Sequence, residues 1–465
     1  MSGLQGNAAR TVSSPGTQNL DLSWIDAFWA QAGNYIFSRE EDGVLILPPN
    51  RVYRLNSTGA DCIRFLKNGG SFGALQENPA KTQKVSPERI AQIDLFFKIL
   101  SGLYQGDGRA DAALERVPFD FDFTKLPILG EIAVTYRCNN SCRFCYAGCS
   151  AGTESDARGG SGIANRMGTA DLPTEKLKRI IDIFRKDAKI PFFSFTGGEP
   201  LLRGDLEELI EYAVKSGLEI NLISNGTLAS PERAVSLYKA GLRTAQISVE
   251  ASDEALHDML IGRKGAFRET IDGIQALIGA GISVQTNTTI NKANCDTVHL
   301  IPAFLAELGV HRFAMNMYIP AAEGAPESVR EELFIGYDEI GEVVEEVRSA
   351  AAAVNAVFYW YSPVPMCYYN SIAKGLGNKS CAAVDGLLSV APNGDILPCS
   401  SWDEPVGNLL EKPFGDIWFS ERARFFKHKE FAPAQCKTCS SFTACQGACP
   451  LYWSACGESL LEAHR

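Results

Sequence analysis

Between residue 128 and about residue 317 the chain changes hydrophobic rhythm repeatedly, and this alternation constrains its fold more than any other feature. Short runs rich in β-branched and aromatic residues, at 131–136, 192–196, 219–224, 244–249, 283–290 and 312–316, read as strands. Between them lie stretches with helical spacing, such as Leu177, Ile180, Ile181 and Phe184, or Leu206, Leu209, Ile210 and Ala213. Another helix opens on Ser230-Pro231-Glu232 and stops at Gly241, a start signal and a stop signal in the right order. Strands joined through helices pair in parallel, because each connection must cross back over the sheet. The expected class is therefore α/β, and six units in succession fit a partial (β/α)6 barrel over 128–320 better than a closed eight-unit one. In such barrels the functional groups gather at the C-terminal ends of the strands.

Composition narrows the function classes. The 465 residues are 45% hydrophobic and 21% charged, as in an ordinary globular protein, with no apolar run near the roughly 20 residues that cross a bilayer. The first residues, Met-Ser-Gly-Leu-Gln-Gly-Asn, lack the basic end and apolar stretch of a secretory signal, so the expected location is the cytoplasm, with no membrane partner. A net charge of -11 argues against a sequence-blind nucleic-acid binder, which needs a basic excess. Fourteen cysteines are too many to be incidental, and a reducing compartment disfavours a disulfide framework. Metal, cluster or redox chemistry is the expectation.

Three of those cysteines, Cys138, Cys142 and Cys145, are spaced C-x3-C-x2-C directly after the first barrel strand. A 4Fe-4S cube that merely carries electrons takes four thiolates, so three leave one iron open to a substrate or cofactor. A structural zinc completed by Cys149 is the alternative. The knot, with Phe144 before its third cysteine, resembles the signature of the radical S-adenosylmethionine (SAM) superfamily. That resemblance implies a 4Fe-4S cluster on Cys138, Cys142 and Cys145 whose open iron chelates SAM and splits it to a 5'-deoxyadenosyl radical. It also implies a SAM pocket along the strand ends: Gly197, Gly198 and Glu199 of a GGEP motif, Ser224 and Asn225, Ser248 and Glu250, and Asn287. Taken singly, any of these can be read as a turn or a helix cap, most evenly so Ser248, Glu250 and Asn287. Ile261 stands where many relatives carry an arginine, which leaves Arg263 and Arg268 as candidates to hold the SAM carboxylate.

A second cysteine group crowds the C-terminus. Cys381 is followed by twelve residues, Gly394, four residues and Cys399, then by Cys436-x2-Cys439-x5-Cys445-x3-Cys449 and finally Cys456. This spacing resembles the seven-cysteine SPASM domain, which binds one or two auxiliary iron-sulfur clusters. The resemblance implies one set from Cys436, Cys439, Cys445 and Cys456, and another from Cys381, Cys399 and Cys449, with Cys367 available as its fourth ligand or its fourth iron left open. A zinc ribbon is the alternative for 436–449 taken alone. Cys62 falls on the apolar face of a helix that begins near Ser57-Thr58, and Cys149 and Cys295 match no motif, so all three read as packing or spare thiols.

Upstream, strands at 34–38, 44–47 and 52–55 precede that helix and a later one through Ile90, Ile93, Phe96, Phe97 and Leu100. The Leu55-Asn56-Ser57-Thr58-Gly59-Ala60 run resembles the PqqD-like family of peptide chaperones, small winged-helix-like α+β units that bind a leader peptide as an added strand. A purely structural winged-helix unit is the other reading. The expected layout is a flexible tail (1–23), a PqqD-like domain (24–110), a linker (111–127), the barrel (128–320), a helical linker (321–366) and a SPASM domain (367–465). A Gly/Ser-rich insertion at 147–169 is expected to be a mobile flap. The resemblances together imply a maturase that takes hydrogen from a ribosomally made precursor peptide and forms a thioether or carbon-carbon link, served by a flavodoxin- or ferredoxin-type electron donor. Modification of a protein residue or of a tetrapyrrole, and a non-catalytic iron-sulfur carrier or scaffold, are the other readings.

Overall fold

The computed structural model describes residues 20–48, 51–76, 86–115, 122–149, 164, 171–320, 327–458 and 461. The 1–19 part of the expected tail and most of the 147–169 insertion fall outside these residues. The chain forms two compact units, Met1–Pro118 and Phe119–Arg465.

In the first unit a helix, Ser23–Ala32, precedes a three-stranded antiparallel sheet of β1 (Phe37–Arg39), β2 (Val44–Leu47) and β3 (Arg51–Arg54), in that order. The expected first strand starts later than 34, because the helix runs on as a 3-10 turn, Gly33–Tyr35. The turn between β1 and β2 is closed by a buried Arg39–Asp42 ion pair of 2.7 Å. Helix Ser57–Lys67 begins where Asn56 accepts the Gly59 amide at 2.8 Å, and helix Pro87–Gln105 where Ser86 accepts that of Arg89 at 3.3 Å. Their apolar faces, with Ile63, Leu66, Ile93, Phe97 and Leu100, close over Leu45 and Leu47. Cys62 belongs to this core and its thiol is pushed up to about 11 by burial, in keeping with packing.

The second unit is built on six parallel strands in chain order: β4 (Leu129–Thr135), β5 (Phe192–Gly197), β6 (Glu219–Ser224), β7 (Thr244–Ser248), β8 (Ser283–Ile290) and β9 (Arg312–Met317). Alternation along the strands explains the layering. Phe193 and Phe195 point outward, where Phe193 meets Phe184 edge-on at 5.4 Å beneath helix Thr174–Lys186. Leu177, Ile180, Ile181 and Phe184 of that helix are fully buried, each contributing about 1.5–3 kcal/mol of transfer free energy. Inward-facing neighbours are polar and satisfy one another, as Asn221 Nδ2 donates to Ser194 Oγ at 3.1 Å and Gln285 Nε2 to Gln246 Oε1 at 2.8 Å.

The sheet does not stop at six strands. Helix Tyr337–Ala353 crosses back to β10 (Val357–Trp360), which pairs in parallel with β9, so the expected helical linker supplies a seventh strand. On the other side β11 (Leu387–Val390) pairs in parallel with β4, followed by antiparallel β12 (Asp395–Leu397) and β13 (Gly407–Asn408). Ten strands therefore form one sheet, and the cysteine-rich C-terminal segment is continuous with the barrel through β11.

Candidate active site

The loop after β4 carries Cys138, Cys142 and Cys145, and three neighbouring strand ends hold it in place. Gly197 at the end of β5 has φ +133°, and a Cβ there would sit 2.1 Å from the Thr135 carbonyl oxygen, so only glycine lets β5 approach the loop this closely. The Gly198 and Glu199 amides then donate to the carbonyls of Thr135 and Arg137, at 2.8 and 2.9 Å. From the β6 end, Asn225 Nδ2 donates to Asn139 Oδ1 at 2.9 Å, and Asn139 Nδ2 to Thr227 Oγ1 at 2.8 Å. From beyond β7, Gly262 takes φ +70° against the Ser141 carbonyl, and the Ser141 and Arg143 amides donate to Ile261 and Leu260.

A cavity of about 340 Å³ opens at these strand ends, where a barrel of this kind places its chemistry. Cys138, Cys142 and Cys145 line it, as do Gly197, Gly198, Ser224, Asn225, Ser248, Glu250 and Asn287. Glu199 is placed differently. It is fully buried behind the wall, where its carboxylate accepts from Ser224 Oγ (2.8 Å), the Asn225 amide (2.8 Å) and the Leu201 amide (2.9 Å). Its geometry orients Ser224 and Asn225 instead of presenting free acceptors to the cavity. Glu250 accepts the Thr289 amide at 2.7 Å, and burial lifts its carboxyl to about 8. Asn287 donates to Asn316 Oδ1 at 2.7 Å while its own Oδ1 is buried without a partner, an acceptor free for a ligand's donor. Neither arginine candidate lines the cavity. Arg263 donates to Asn140 Oδ1 at 2.7 Å and pairs with Glu269, and Arg268 pairs with Glu254 at the surface.

Burial raises the thiols of Cys138, to about 12, and Cys142, whereas Cys145 is lowered to about 7. The cause at Cys145 is first a hydrogen bond from the Cys149 thiol and then, against the cost of burial, the amides of Cys149, Ala147 and Gly148. Cys149, expected to be a spare thiol, is thus part of the cavity wall beside the knot. The sequence reading also missed Glu131 on β4. It lines the same cavity and accepts Ser389 Oγ at 2.6 Å, with the Ser400 hydroxyl and amide as further donors, while burial raises its carboxyl. Ser400 and Ser401, the residues after Cys399, complete that side of the wall. Their signal lies in strand register, which single-sequence spacing does not carry.

Among the C-terminal cysteines, Cys381, Cys399 and Cys449 come together: burial raises the Cys399 thiol, and the charges of Cys381 and Cys449 add to it. The Cys381 carbonyl accepts Lys429 Nζ at 2.6 Å, and that fully buried ammonium pairs with Asp385 at 2.9 Å. Cys436, Cys439 and Cys445 form a second group in the short helices Ala434–Lys437 and Phe442–Cys445 and the turn between them.

Residues 132–294 match the radical SAM superfamily model, and residues 381–440 match the iron-sulfur cluster-binding SPASM model. The chain carries a radical SAM domain and a SPASM domain. Similar proteins include an AdoMet-dependent heme synthase of Nitratidesulfovibrio vulgaris, 28% identical over 341 residues, 71% of this chain and 89% of the relative. A PqqA peptide cyclase of Streptomyces rochei is 26% identical over 264 residues, 55% of this chain and 70% of the relative. Among solved structures, Streptococcus suis SuiB bound to its precursor peptide SuiA is similar in fold, with TM-score 0.64 and 17% identity over 91% of this chain and 96% of that one.

The residues present fit the cofactors of these domains. Three thiols converge on the cavity, an unpartnered amide oxygen and backbone at two glycines border it, and further thiol groups occupy the SPASM domain. Cys138, Cys142 and Cys145 are the residues that would hold a 4Fe-4S cluster here, and with SAM it would supply radical chemistry, the cavity residues around it serving to orient SAM and exclude water. Among the described residues no helix is long and apolar enough to cross a membrane.

Proposed function

We propose that this radical SAM enzyme is a peptide maturase: it binds a ribosomally made precursor peptide through residues 24–110 and links two of its side chains oxidatively. The observation that carries the reading is the first unit. Its antiparallel sheet, ordered β1-β2-β3 and covered by helices Ser57–Lys67 and Pro87–Gln105, is a small α+β unit of the kind that takes up an extended leader as an added strand. The likeness to peptide-bound SuiB covers 91% of this chain, more than the second unit comprises, so it extends into this unit. Residues of the SAM pocket in this reading are Gly197, Gly198, Ser224, Asn225, Ser248, Glu250 and Asn287, with Glu199 orienting two of them. In this reading the SPASM-domain thiols would hold auxiliary clusters able to accept the electron released as the link forms, and a flavodoxin- or ferredoxin-type protein would serve as the donor to the radical SAM cluster.

A tetrapyrrole substrate is the second reading, favoured by the heme synthase relatives, whose similarity spans about as many residues as the second unit holds. The test is to incubate the reconstituted enzyme, SAM and a reductant with peptides encoded beside its gene. The peptide reading expects the mass of one peptide to fall by a pair of hydrogens per link. Release of 5'-deoxyadenosine with every peptide mass unchanged, and consumption of an iron tetrapyrrole in the parallel assay, would sink it.

A further inference from the structure

Cys367 lies outside the seven-cysteine pattern, and its surroundings assign it a partner set. It sits in a turn after β10, where the amides of Tyr368 and Tyr369 both donate to the Pro365 carbonyl. The Tyr369 hydroxyl anchors that turn to helix Tyr337–Ala353 by a 2.6 Å hydrogen bond to Glu345. So held, the Met366 amide donates to Cys445 Sγ at 3.4 Å, which brings Cys367 against the 436–445 segment. Within that segment the Cys439 amide donates to the Cys436 carbonyl and the Cys445 amide to the Ser441 carbonyl, so three thiols are displayed on one short scaffold.

We propose that Cys367 is the fourth ligand of the auxiliary cluster held by Cys436, Cys439 and Cys445. A 4Fe-4S cube accepts four protein thiolates, so this set is full, and Cys456 falls to the set of Cys381, Cys399 and Cys449. Cys456 ends helix Pro450–Cys456, of which Cys449 is the N-cap, two turns away on the same face. This exchanges Cys367 and Cys456 between the sets that the SPASM spacing implies. Each cluster is then ligated by four cysteines, and neither offers an open iron. Cys367 and Cys439 are the exposed ones, so the cluster they share is the solvent-facing one. The assignment does not depend on the substrate.

The experiment uses the full chain with C138A, C142A and C145A together, which removes the radical SAM cluster and leaves only auxiliary signals. After anaerobic reconstitution, iron and sulfide are counted and electron paramagnetic resonance spectra are taken on reduction with dithionite. C439A and C399A identify the two signals by abolishing or altering one each. Expected is that C367A and the conservative C367S shift the g values and midpoint potential of the C439A-sensitive signal alone, and that C456A shifts the C399A-sensitive one alone. The reverse pattern overturns the assignment, as do spectra unchanged by C367S in a chain with native circular dichroism. If C367A does not fold, the C367S and C456A spectra decide between the two partitions.

Discussion

The Ser389 hydroxyl donates a 2.6 Å hydrogen bond to the Glu131 carboxyl across 258 residues of chain. The two residues are register partners where β11 pairs with β4, so the bond ties the C-terminal segment to the first strand of the barrel at the cavity wall. Removing a donor to a buried carboxyl costs about 1–3 kcal/mol. S389A is therefore expected to lower the unfolding free energy of the second unit by that amount, read by urea titration, while S389T, which keeps the hydroxyl, loses less. Equal losses in the two variants would assign the effect to packing and not to the hydrogen bond.

Local signals made the barrel legible. The spacing of Leu177, Ile180, Ile181 and Phe184 and the C-x3-C-x2-C knot are each contained in a dozen or so residues, and both stand where they were expected. Long-range pairings were not legible. Nothing local to Val357–Trp360 or Leu387–Val390 says that these runs join the barrel's two edges, so β10 and β11 were not expected there. The role of Glu199 was misjudged for a related reason: the GGEP motif marks a position, but which way its carboxylate turns is decided by Ser224 and Asn225 on the next strand. The grouping of Cys367 with Cys445 likewise depends on a turn anchored by Tyr369, 24 residues from its partner Glu345.

Gly262 should be as necessary to the first cluster as a ligand. Its φ of +70° disfavours any side chain, and a Cβ would lie 2.4 Å from the Ser141 carbonyl oxygen, between the first two cysteines of the knot. G262A must push the loop away from Leu260 and Ile261, whose carbonyls accept its amides. The expected outcome is a loss of about four irons per chain after reconstitution, the content of one cube, with the auxiliary signals retained. Full iron content in G262A would mean that the loop can yield without cost.

The Cys145 thiol, lowered to about 7, should be the most reactive of the knot in cluster-free protein, because the thiolate is the nucleophile. At pH 8 it is mostly ionised, while Cys138, raised to about 12 by burial, is almost wholly protonated. Brief treatment with iodoacetamide followed by peptide mapping should label Cys145 well ahead of Cys138. C149A removes the strongest support for the thiolate and should slow that labelling several-fold; an unchanged rate would leave the loop amides as its sole cause.

Glu250 lines the cavity and His257 sits behind it, where His257 Nδ1 accepts the Glu250 amide at 3.2 Å, yet their titrations pull stability in opposite directions. Burial raises the Glu250 carboxyl from 4.5 to about 8, so between those values the folded chain holds a proton that the unfolded chain has lost. Its contribution is complete below about 4.5 and declines as pH rises to about 8, by up to about 1.4 kcal/mol per pH unit. Burial lowers His257 from 6.5 to about 4, so its contribution is complete above 6.5 and declines as pH falls towards 4. Cluster-free protein is expected to lose thermal stability from pH 6.5 to 8, and E250Q, which cannot ionise, to lose distinctly less over that window. Melting curves at half-unit pH steps read the difference, and parallel wild-type and E250Q profiles would show that Glu250 is ionised in the fold at neutral pH.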